Sequence, residues 1–584
     1  MCGILVVISK KKKLDIAKCK KSLNLMKNRG PDWIIENKIN GNIFMGQTVL
    51  SMTGMQKKNL EKNFSDSKNY FLLLVGEIYN YGKLSLNYLN KLINDKTSDT
   101  NVLVNLFDKI KENKINHLID GMYAYVVFNK KKNSLIFSKD PNGEKNLYIF
   151  EDNLKIIICS EINPILFYNE NNNLNLDVLK NYFFTRHFIN LEKTIFNGIK
   201  KIKPGLQVEI NLNNYTSKII NKISLNNFIN PFSYKNNKKR SLEDLIDELD
   251  FLLNKNIKEM IPKNRKFASI VSGGIDSSLV TFYLCKNSNP ECLIFLNHVG
   301  KDEHTNKIKK FEKFFKRKIY VKNVNEKDYL INYLKCIKIC NSPINSHSFV
   351  GQFIVSNIVS QFKVRGLFGG EGADELFGGY ETYINNNLKK NLNNSDYTKI
   401  FDPKLFPVTP EQVLFKKKMK SLWMKCLDSY SFIQNKNEKQ KNSMMLMDAT
   451  VQMENNAFIA TDLLNLSNSV EGRSLFYRKE IIQFALNLPF KYKINIKASK
   501  QMKTKFILKN LFLKKFSKSL ILKKQGFAGF PNEMKKFMGP LNNFVSKDQI
   551  NYFNIKEDFY KNRSIQWKIL NTEMYLRKLG YKYL

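Results

Sequence analysis

A glycine-rich turn between an apolar strand and a helix constrains this chain more than any other feature of its sequence. The segment Ser272–Ser278 (SGGIDSS) follows the apolar run Phe267–Val271 and precedes Leu279–Leu284, which can begin a helix. Two adjacent glycines let backbone N–H groups approach an anion, and the start of a helix adds unpaired donors and a favourable dipole. The turn therefore predicts an α/β domain with a phosphate site at the end of a strand.

A second loop concentrates acidic residues among glycines. The segment Gly369–Tyr380 (GGEGADELFGGY) follows the apolar run Val364–Phe368 and carries Glu371, Asp374 and Glu375. Buried carboxylates must be paired or bound to a metal, and Mg²⁺ takes one or two of them together with substrate phosphates. The loop therefore favours a magnesium–phosphate site, with a solvated acidic turn as the alternative.

The rest of the chain divides into regions of different pattern. Residues 1–211 contain short apolar or alternating segments between Gly, Asn and Lys turns, which predict strands. Residues 212–240 are rich in Asn and lack sustained periodicity, which predicts a linker. A second domain is expected over residues 241–584, and the long periodic segments of 410–488 predict that its C-terminal part is largely helical.

Composition argues against several other classes of protein. The formal net charge is +43, but only ten of the 95 basic residues are arginine, and the lysines are spread along all 584 residues. Arginine is favoured for bidentate phosphate and base contacts, so we expect no specific nucleic-acid partner. The longest apolar runs are far shorter than the roughly 20 residues of a membrane helix. Eight cysteines are too few for a disulfide scaffold, and without a secretory pattern at the N-terminus the sequence predicts a cytoplasmic protein.

The two glycine-rich loops resemble those of the pyrophosphate-loop ATPases, specifically the synthetase domain of the asparagine synthetases. Other motifs are similar to the glutaminase domain and the C-terminal motifs of that family: Met1–Ile4, Asn28–Trp33, Gly76–Asn80, Thr97–Thr100, Asp120–Ala124, Asp140–Tyr148, Ser160–Ile162, Lys203–Gly205, Val470–Arg473, Lys505–Lys509 and Lys523–Phe527. The resemblance covers nearly the whole chain, with two domain signatures in the right order.

The resemblance implies a fold and a reaction. The fold class is α/β and α+β: an N-terminal-nucleophile αββα sandwich, here the glutaminase-like class II amidotransferase domain, is followed by an α/β pyrophosphate-loop domain. The expected enzyme is a carbon–nitrogen ligase that uses ATP and Mg²⁺. It adenylates the β-carboxylate of aspartate, releases pyrophosphate and lets ammonia, free or from glutamine, displace AMP.

Three alternatives and one further expectation accompany this interpretation. A related amidotransferase could act on another carboxylate, such as a sugar acid or a peptide. A regulatory or binding protein could keep the same fold. A tRNA-modifying pyrophosphate-loop enzyme would suit the basic charge but finds no support in the first 200 residues. The expected partners are small-molecule substrates, and a homodimer is compatible with the resemblance.

The same resemblance assigns roles in the synthetase domain. It implies that Asp276 and Asp374 bind Mg²⁺, that Glu371 assists the attack of ammonia, and that Lys505 neutralises charge on the phosphates. The expected ATP-binding residues are Ile270, Ser272, Gly273, Gly274, Asp276, Ser277, Leu296 and Gly370. Positioning and charge neutralisation are what adenylyl transfer chiefly requires.

Cys2 is the expected nucleophile of the first domain. Removal of Met1 would free the α-amino group of Cys2, whose ordinary pKa of roughly 7.7 to 8.0 suits a general base beside the thiol. The resemblance implies that the Gly76 backbone N–H stabilises the oxyanion. It also implies that Glu77 and Asp99 hold the α-amino group of glutamine.

Two departures from the family pattern affect this glutaminase site. Val49 stands where the family has an arginine that clamps the α-carboxylate of glutamine, and Val75 stands where it has an asparagine that donates to the oxyanion. Loss of one oxyanion donor typically costs ~10²- to 10³-fold in rate. We therefore expect impaired use of glutamine and a preference for free ammonia or for a donor without that carboxylate. Smaller departures bring the acceptor carboxylate into question: Asn341, Ser342, Gly369, Leu475 and Arg478.

Overall fold

The computed structural model describes residues 2–11, 13–53, 65–94, 96–170, 173–184, 189, 191–298, 303–384, 410–517, 520 and 563–580. The N-terminal part forms two antiparallel sheets. Their strands are β1 (Cys2–Ser9), β2 (Trp33–Ile39), β3 (Ile43–Val49), β4 (Tyr70–Ile78), β5 (Gly121–Asn129), β6 (Ser134–Lys139), β7 (Tyr148–Glu151), β8 (Lys155–Cys159), β9 (Ile199–Lys201), β10 (Leu206–Asn211) and β11 (Ser217–Lys222). One sheet has the order β2-β3-β1-β8-β7-β9, and the other has the order β11-β10-β6-β5-β4.

Strand β1 is buried on both faces. Ile4 and Val6 belong to the apolar layer between the sheets, which also contains Val75 of β4. Leu5 and Val7 point the other way, into a layer of helices, because successive side chains of a strand alternate between faces. Helices cover the outer faces of both sheets: α1 (Ile16–Asn24), α2 (Tyr81–Leu89), α3 (Asp99–Lys109), α4 (Ile115–Leu118), α5 (Ile162–Asn169) and α6 (Leu176–Phe184). The predicted αββα sandwich is confirmed.

The segment predicted as a linker contains regular structure. Residues 212–240 include β11, which pairs with β10 at the edge of the second sheet, and α7 (Pro231–Lys239). Strand β11 exposes most of its surface, and its Ile219 is 65% exposed. No alternating apolar pattern therefore marks this strand in the sequence. The domain boundaries at 211 and 241 remain predictions.

A parallel sheet forms the centre of the second part. Its strands are β12 (Lys266–Ile270), β13 (Cys292–His298), β14 (Ile319–Val324), β15 (Val364–Gly369) and β16 (Glu471–Ser474), in the order β14-β13-β12-β15-β16. The chain adds strands on one side of β12 and then crosses to the other side at β15. In such sheets a crevice for ligands opens at the carboxyl ends of the two strands where the order reverses.

Helices surround this sheet and make up most of the described C-terminal part, as predicted. They are α8 (Leu242–Met260), α9 (Ile275–Asn287), α10 (Glu303–Phe315), α11 (Glu326–Ile339), α12 (His347–Gln361), α13 (Ala373–Phe377), α14 (Pro410–Ser429), α15 (Lys436–Met447), α16 (Lys479–Leu486), α17 (Phe490–Lys493), α18 (Phe506–Lys515) and α19 (Arg563–Lys578). Among the described residues, no helix is both long and apolar enough to cross a membrane. The motif Lys523–Phe527 lies outside the described residues.

Buried ion pairs join the two parts of the chain. Arg29 Nη2 lies 3.0 Å from a carboxylate oxygen of Asp462, and both side chains are almost fully buried. Lys201 Nζ lies 3.0 Å from Glu454 in the same interface. Removing one partner of such a pair typically costs about 3 to 5 kcal/mol, because it leaves an uncompensated buried charge.

The last helix also contacts both parts. Ile569 and Leu576 of α19 pack in the helical layer that covers β1. Leu570 of the same helix packs among the apolar residues of α11 and α12 in the second part. Residues near the C-terminus therefore complete the outer layer of the N-terminal sandwich.

Candidate active sites

The predicted nucleophile lies at the start of β1. Cys2 is directly opposite Val49 of β3, and Val49 is directly opposite Trp33 of β2. Residues opposed across antiparallel strands point to the same face, so these three side chains lie side by side. Cys2 is 6% exposed, and its carbonyl accepts a hydrogen bond from Arg29 Nε at 3.1 Å.

A small pocket adjoins Cys2. Its lining residues are Cys2, Trp33, Gln47, Val49, Leu50, Ser51, Met52, Thr53, Leu74, Gly76, Glu77, Ser98, Asp99 and Thr100. Gly76 has φ = +105°, and a Cβ at this position would lie 1.9 Å from the carbonyl oxygen of Met122. Only glycine can therefore form this part of the pocket wall.

Some neighbours of the Cys2 thiol oppose its ionisation and others favour it. Burial raises the pKa of Cys2 above its ordinary value, while the amino terminus and a hydrogen bond with Gln47 lower it. The Nε2 of Gln47 also donates to the carbonyl of Leu74 at 2.8 Å. The sequence analysis missed Gln47 as a neighbour of the nucleophile. Its position two residues before Val49 was the available signal, because residues i and i+2 of a strand share a face.

The two carboxylates predicted to hold an amino group line this pocket and already have protein partners. Asp99 accepts hydrogen bonds from the backbone N–H groups of Ile78 and Thr100, both at 2.9 Å. Glu77 forms an ion pair with Arg473 of β16, in the other domain. Burial raises the pKa of Glu77 to about 7, against the opposing effect of Arg473. The pocket beside Cys2 is thus linked to the parallel sheet of the second domain through Arg473, a contact that the sequence analysis did not foresee.

Both departures in the first domain are buried valines. Val49 and Val75 are 5% and 0% exposed and belong to the same apolar cluster as Cys2. The described residues that line the pocket include no lysine or arginine. The positions expected to clamp a carboxylate and to stabilise an oxyanion are therefore apolar.

In the second domain, the glycine-rich turn joins β12 to α9. Ser272 N donates to Ser277 Oγ at 3.1 Å, and the two hydroxyl oxygens lie 2.8 Å apart. Gly273 has φ = +73°, and Gly274 is the N-cap of α9. Without a capping side chain, the first N–H groups of this 13-residue helix can receive an anion. Two half-buried apolar residues lie on the adjacent strands: Ile270 ends β12, and Leu296 lies two residues before the end of β13.

The acidic loop packs directly against this turn. Strands β12 and β15 are neighbours, so both loops leave the same edge of the sheet. A Cβ at Gly370 would lie 2.7 Å from Asp276 Cβ and 2.9 Å from Ser277 N, which makes glycine necessary there. The Glu371 carboxylate folds over Gly369, where a Cβ would lie 2.1 Å from one of its oxygens. Burial raises the pKa of Glu371 above its ordinary value.

Lys505 connects the acidic residues of the two loops. Its Nζ lies 2.5 Å from Asp276 and 2.8 Å from Asp374, and the residue is 6% exposed. Burial lowers the pKa of Lys505, but the two carboxylates outweigh burial and hold the pKa above its ordinary value. At Gly379, a Cβ would lie 2.4 Å from Lys505 Cε, so glycine makes room for the lysine.

Asp276 and Asp374 are the candidate ligands for a cation at this site. The described residues include no cluster of three or more His, Cys, Asp or Glu side chains placed to bind a metal ion. Asp276 and Asp374 do converge on one ammonium group. Two carboxylates in this arrangement fit Mg²⁺ that takes its other ligands from phosphates and water.

The two residues after β16 that depart from the family pattern, Leu475 and Arg478, have structural contacts. Arg478 Nη2 donates to Asp120 at 2.7 Å and to Glu259 at 2.6 Å, which joins the two domains. Leu475 is fully buried in the apolar core of the second domain. Both residues already have framework contacts, so they give no indication of which carboxylate the chain accepts.

Comparison with known proteins agrees with this architecture. The family model described as a glutamine amidotransferase domain matches residues 1–220, and the model described as asparagine synthase matches residues 248–566. The Bacillus subtilis glutamine-hydrolyzing asparagine synthetase 1 is 23% identical over 554 residues, which cover 87% of this chain and 84% of the relative. The glutamine-hydrolyzing asparagine synthetase 2 of the same organism is 24% identical over 374 residues, which cover 61% of this chain and 48% of the relative. With both domain models matched in order, this chain belongs to the glutamine-hydrolysing asparagine synthetase family.

Proposed function

We propose that this chain is an ATP-dependent asparagine synthetase that adenylates the β-carboxylate of aspartate and amidates it. The observation that carries the proposal is Lys505, whose ammonium group bridges Asp276 and Asp374 beside the open start of α9. This arrangement places a cation and a helix N-terminus at a phosphate chain, and two carboxylates that would hold its accompanying cation.

The proposed chemistry uses residues from both glycine-rich loops. A carboxylate oxygen of the acceptor attacks the α-phosphorus of ATP, and the bond to pyrophosphate breaks. The turn at Ser272–Ser277 holds the departing pyrophosphate through N–H and hydroxyl donors, while Lys505 balances its charge. Mg²⁺, held by Asp276 and Asp374, would add further charge neutralisation when bound. Ammonia then attacks the acyl carbon, AMP leaves, and the raised pKa of Glu371 suits it to accept a proton.

In the first domain we propose that Cys2 supplies this ammonia by hydrolysing a primary amide. Its thiol would attack the amide carbon, with the Gly76 N–H stabilising the oxyanion and with Glu77 and Asp99 receiving an ammonium group of the substrate. The buried Val49 and Val75 support the further proposal that glutamine is used poorly and that free ammonia is preferred.

Several finer statements belong to the same proposal. We place the domain boundaries at 1–211 and 241–584 and the enzyme in the cytoplasm, acting on small molecules and assembling as a homodimer. A sugar acid or a peptide carboxylate is the alternative acceptor, because Asn341, Ser342 and Gly369 depart from the family pattern.

The test measures AMP and pyrophosphate release with ATP and Mg²⁺. Aspartate, a sugar acid or a peptide is the acceptor, and ammonia or glutamine supplies nitrogen. We expect aspartate with ammonia to give stoichiometric AMP, pyrophosphate and asparagine. The variant Asp276→Asn should nearly abolish AMP release, whereas Asp428→Asn, an exposed residue of α14, should behave as wild type. AMP release with none of the acceptors would favour a binding protein that keeps the fold.

A further inference from the structure

Trp33, a residue beside the Cys2 pocket, has an indole N–H without an acceptor. Trp33 lines the pocket, and within the described part of the chain its Nε1 is buried and makes no hydrogen bond. Tryptophan can act only as a donor. Buried donors are nearly always paired with protein or water, so an unpaired one at a ligand pocket calls for an explanation.

The strand register places this donor beside the missing clamp. Trp33 lies directly opposite Val49, and Val49 lies directly opposite Cys2. Opposed residues have Cβ atoms about 5 Å apart and share a face. The indole of Trp33 is therefore next to the position where the family has its carboxylate-binding arginine.

The charges of the pocket favour the same conclusion. Its acidic residues, Glu77 and Asp99, suit an ammonium group, and no lysine or arginine occurs among its described lining residues. Gln47 is committed to Leu74, since its Nε2 donates to the Leu74 carbonyl and its Oε1 accepts from the Leu74 N–H. The hydroxyls of Ser51 and Thr53 already donate to the Thr53 carbonyl and to Asp99. A ligand that carries both an ammonium and a carboxylate would thus find no cationic side chain for its carboxylate among these residues, and Ser98, Thr100 and Trp33 are the neutral donors that line the pocket.

We propose that the Trp33 indole N–H binds the α-carboxylate of the amide donor in place of the arginine. Trp33 is then a specificity-determining residue of the glutaminase site, and this inference rests on the proposed amide hydrolysis by Cys2. A neutral indole gives one hydrogen bond, whereas a guanidinium gives two charge-assisted ones. Discrimination between glutamine and its neutral α-amide, L-glutaminamide, should therefore be weak.

The first experiment compares Trp33→Phe with Trp423→Phe, a buried tryptophan of the second domain. The glutaminase activity of each variant is normalised to its ammonia-dependent AMP release in the same preparation. We expect Trp33→Phe to lower kcat/KM for glutamine about tenfold through KM, to affect L-glutaminamide less, and to regain glutamine use when combined with Val49→Arg. An effect on kcat alone, or equal effects on both donors, would overturn the carboxylate assignment.

The second experiment reads binding without turnover. With Trp423→Phe, Trp567→Phe and Cys2→Ala combined, Trp33 is the one remaining tryptophan among the three in the chain. Its fluorescence should change saturably with glutamine, and the apparent Kd should rise as the probe changes to L-glutaminamide. If the fluorescence does not change with glutamine while ammonia-dependent synthesis is intact, the inference is overturned. If the parent enzyme lacks ammonia-dependent synthesis, that result counts against the proposed function instead.

Discussion

Replacing Lys505 by methionine tests the synthetase site most directly. The change keeps the length of the side chain and removes its charge, which leaves Asp276 and Asp374 facing each other. At 2.8 Å from Asp374 and an effective dielectric constant of about 20, the gross attraction of one pair is about 6 kcal/mol. Desolvation offsets much of this, and both carboxylates keep 18% of their side-chain exposure. We expect a net loss of about 3 kcal/mol in the free energy of unfolding, at the low end of buried pairs.

Catalysis should suffer as well as stability. Removal of one preorganised charge from a reacting phosphate typically costs ~10²- to 10³-fold in kcat, so AMP release by Lys505→Met should fall by that factor. Mg²⁺ should stabilise the variant more than it stabilises wild type, because a cation then meets two carboxylates with no competing ammonium.

The assay is urea denaturation with and without Mg²⁺, paired with AMP release from aspartate, ATP and ammonia. Lys500→Met serves as the matched control. Lys500 is an exposed lysine in the segment before α18, the helix that begins directly after Lys505. Turnover equal to wild type in folded Lys505→Met would refute the assignment of this lysine to the phosphates. Equal stabilisation by Mg²⁺ in both proteins would refute the competition between lysine and cation.

Three further predictions concern the thiol, the apolar substitutions and a buried lysine. Cys2→Ala should abolish glutamine-dependent synthesis and spare ammonia-dependent synthesis, measured as asparagine formed; loss of both in folded protein would contradict the two-site scheme. Val49→Arg with Val75→Asn should raise glutamine-dependent turnover about 10- to 100-fold without changing ammonia use, and no gain would mean that other groups already supply those contacts. Burial lowers the pKa of Lys493 to about 7, so protonation opposes folding below the ordinary pKa of 10.5 and most strongly below pH 7. Lys493→Met should therefore raise the free energy of unfolding, measured in urea, by about 5 kcal/mol at pH 6. This gain should vanish as pH rises towards 10.5, whereas Lys491→Met, at an exposed lysine, should show no such pH-dependent gain.

The sequence predicted those parts of the fold that depend on local pattern. The turn at Ser272–Ser278 could be located because the glycines, the apolar strand before them and the helix after them are adjacent in the chain. Strand β11 was missed because it lies at a sheet edge with exposed residues on most of its length. With no fully buried residue in β11, apolar periodicity does not mark this strand in the sequence.

Contacts between distant residues were beyond any pattern in the sequence. Glu77 and Arg473 are 396 residues apart, and nothing in their local sequence marks them as partners. The place of Trp33 beside Val49 likewise depends on the register of β2 and β3, which is set by the packing of both faces rather than by a motif. The convergence of Asp276 and Lys505 was expected from family resemblance alone.

The contacts of α19 bear on how this chain is made. Residues Ile569 and Leu576 cover part of the sandwich that begins at Cys2, so the N-terminal domain emerges from the ribosome with an apolar patch uncovered. At about 5 to 20 residues per second, roughly 20 to 70 s pass before the covering helix is synthesised. During that interval the nascent domain is a natural client for chaperones, and premature termination should yield an aggregation-prone fragment.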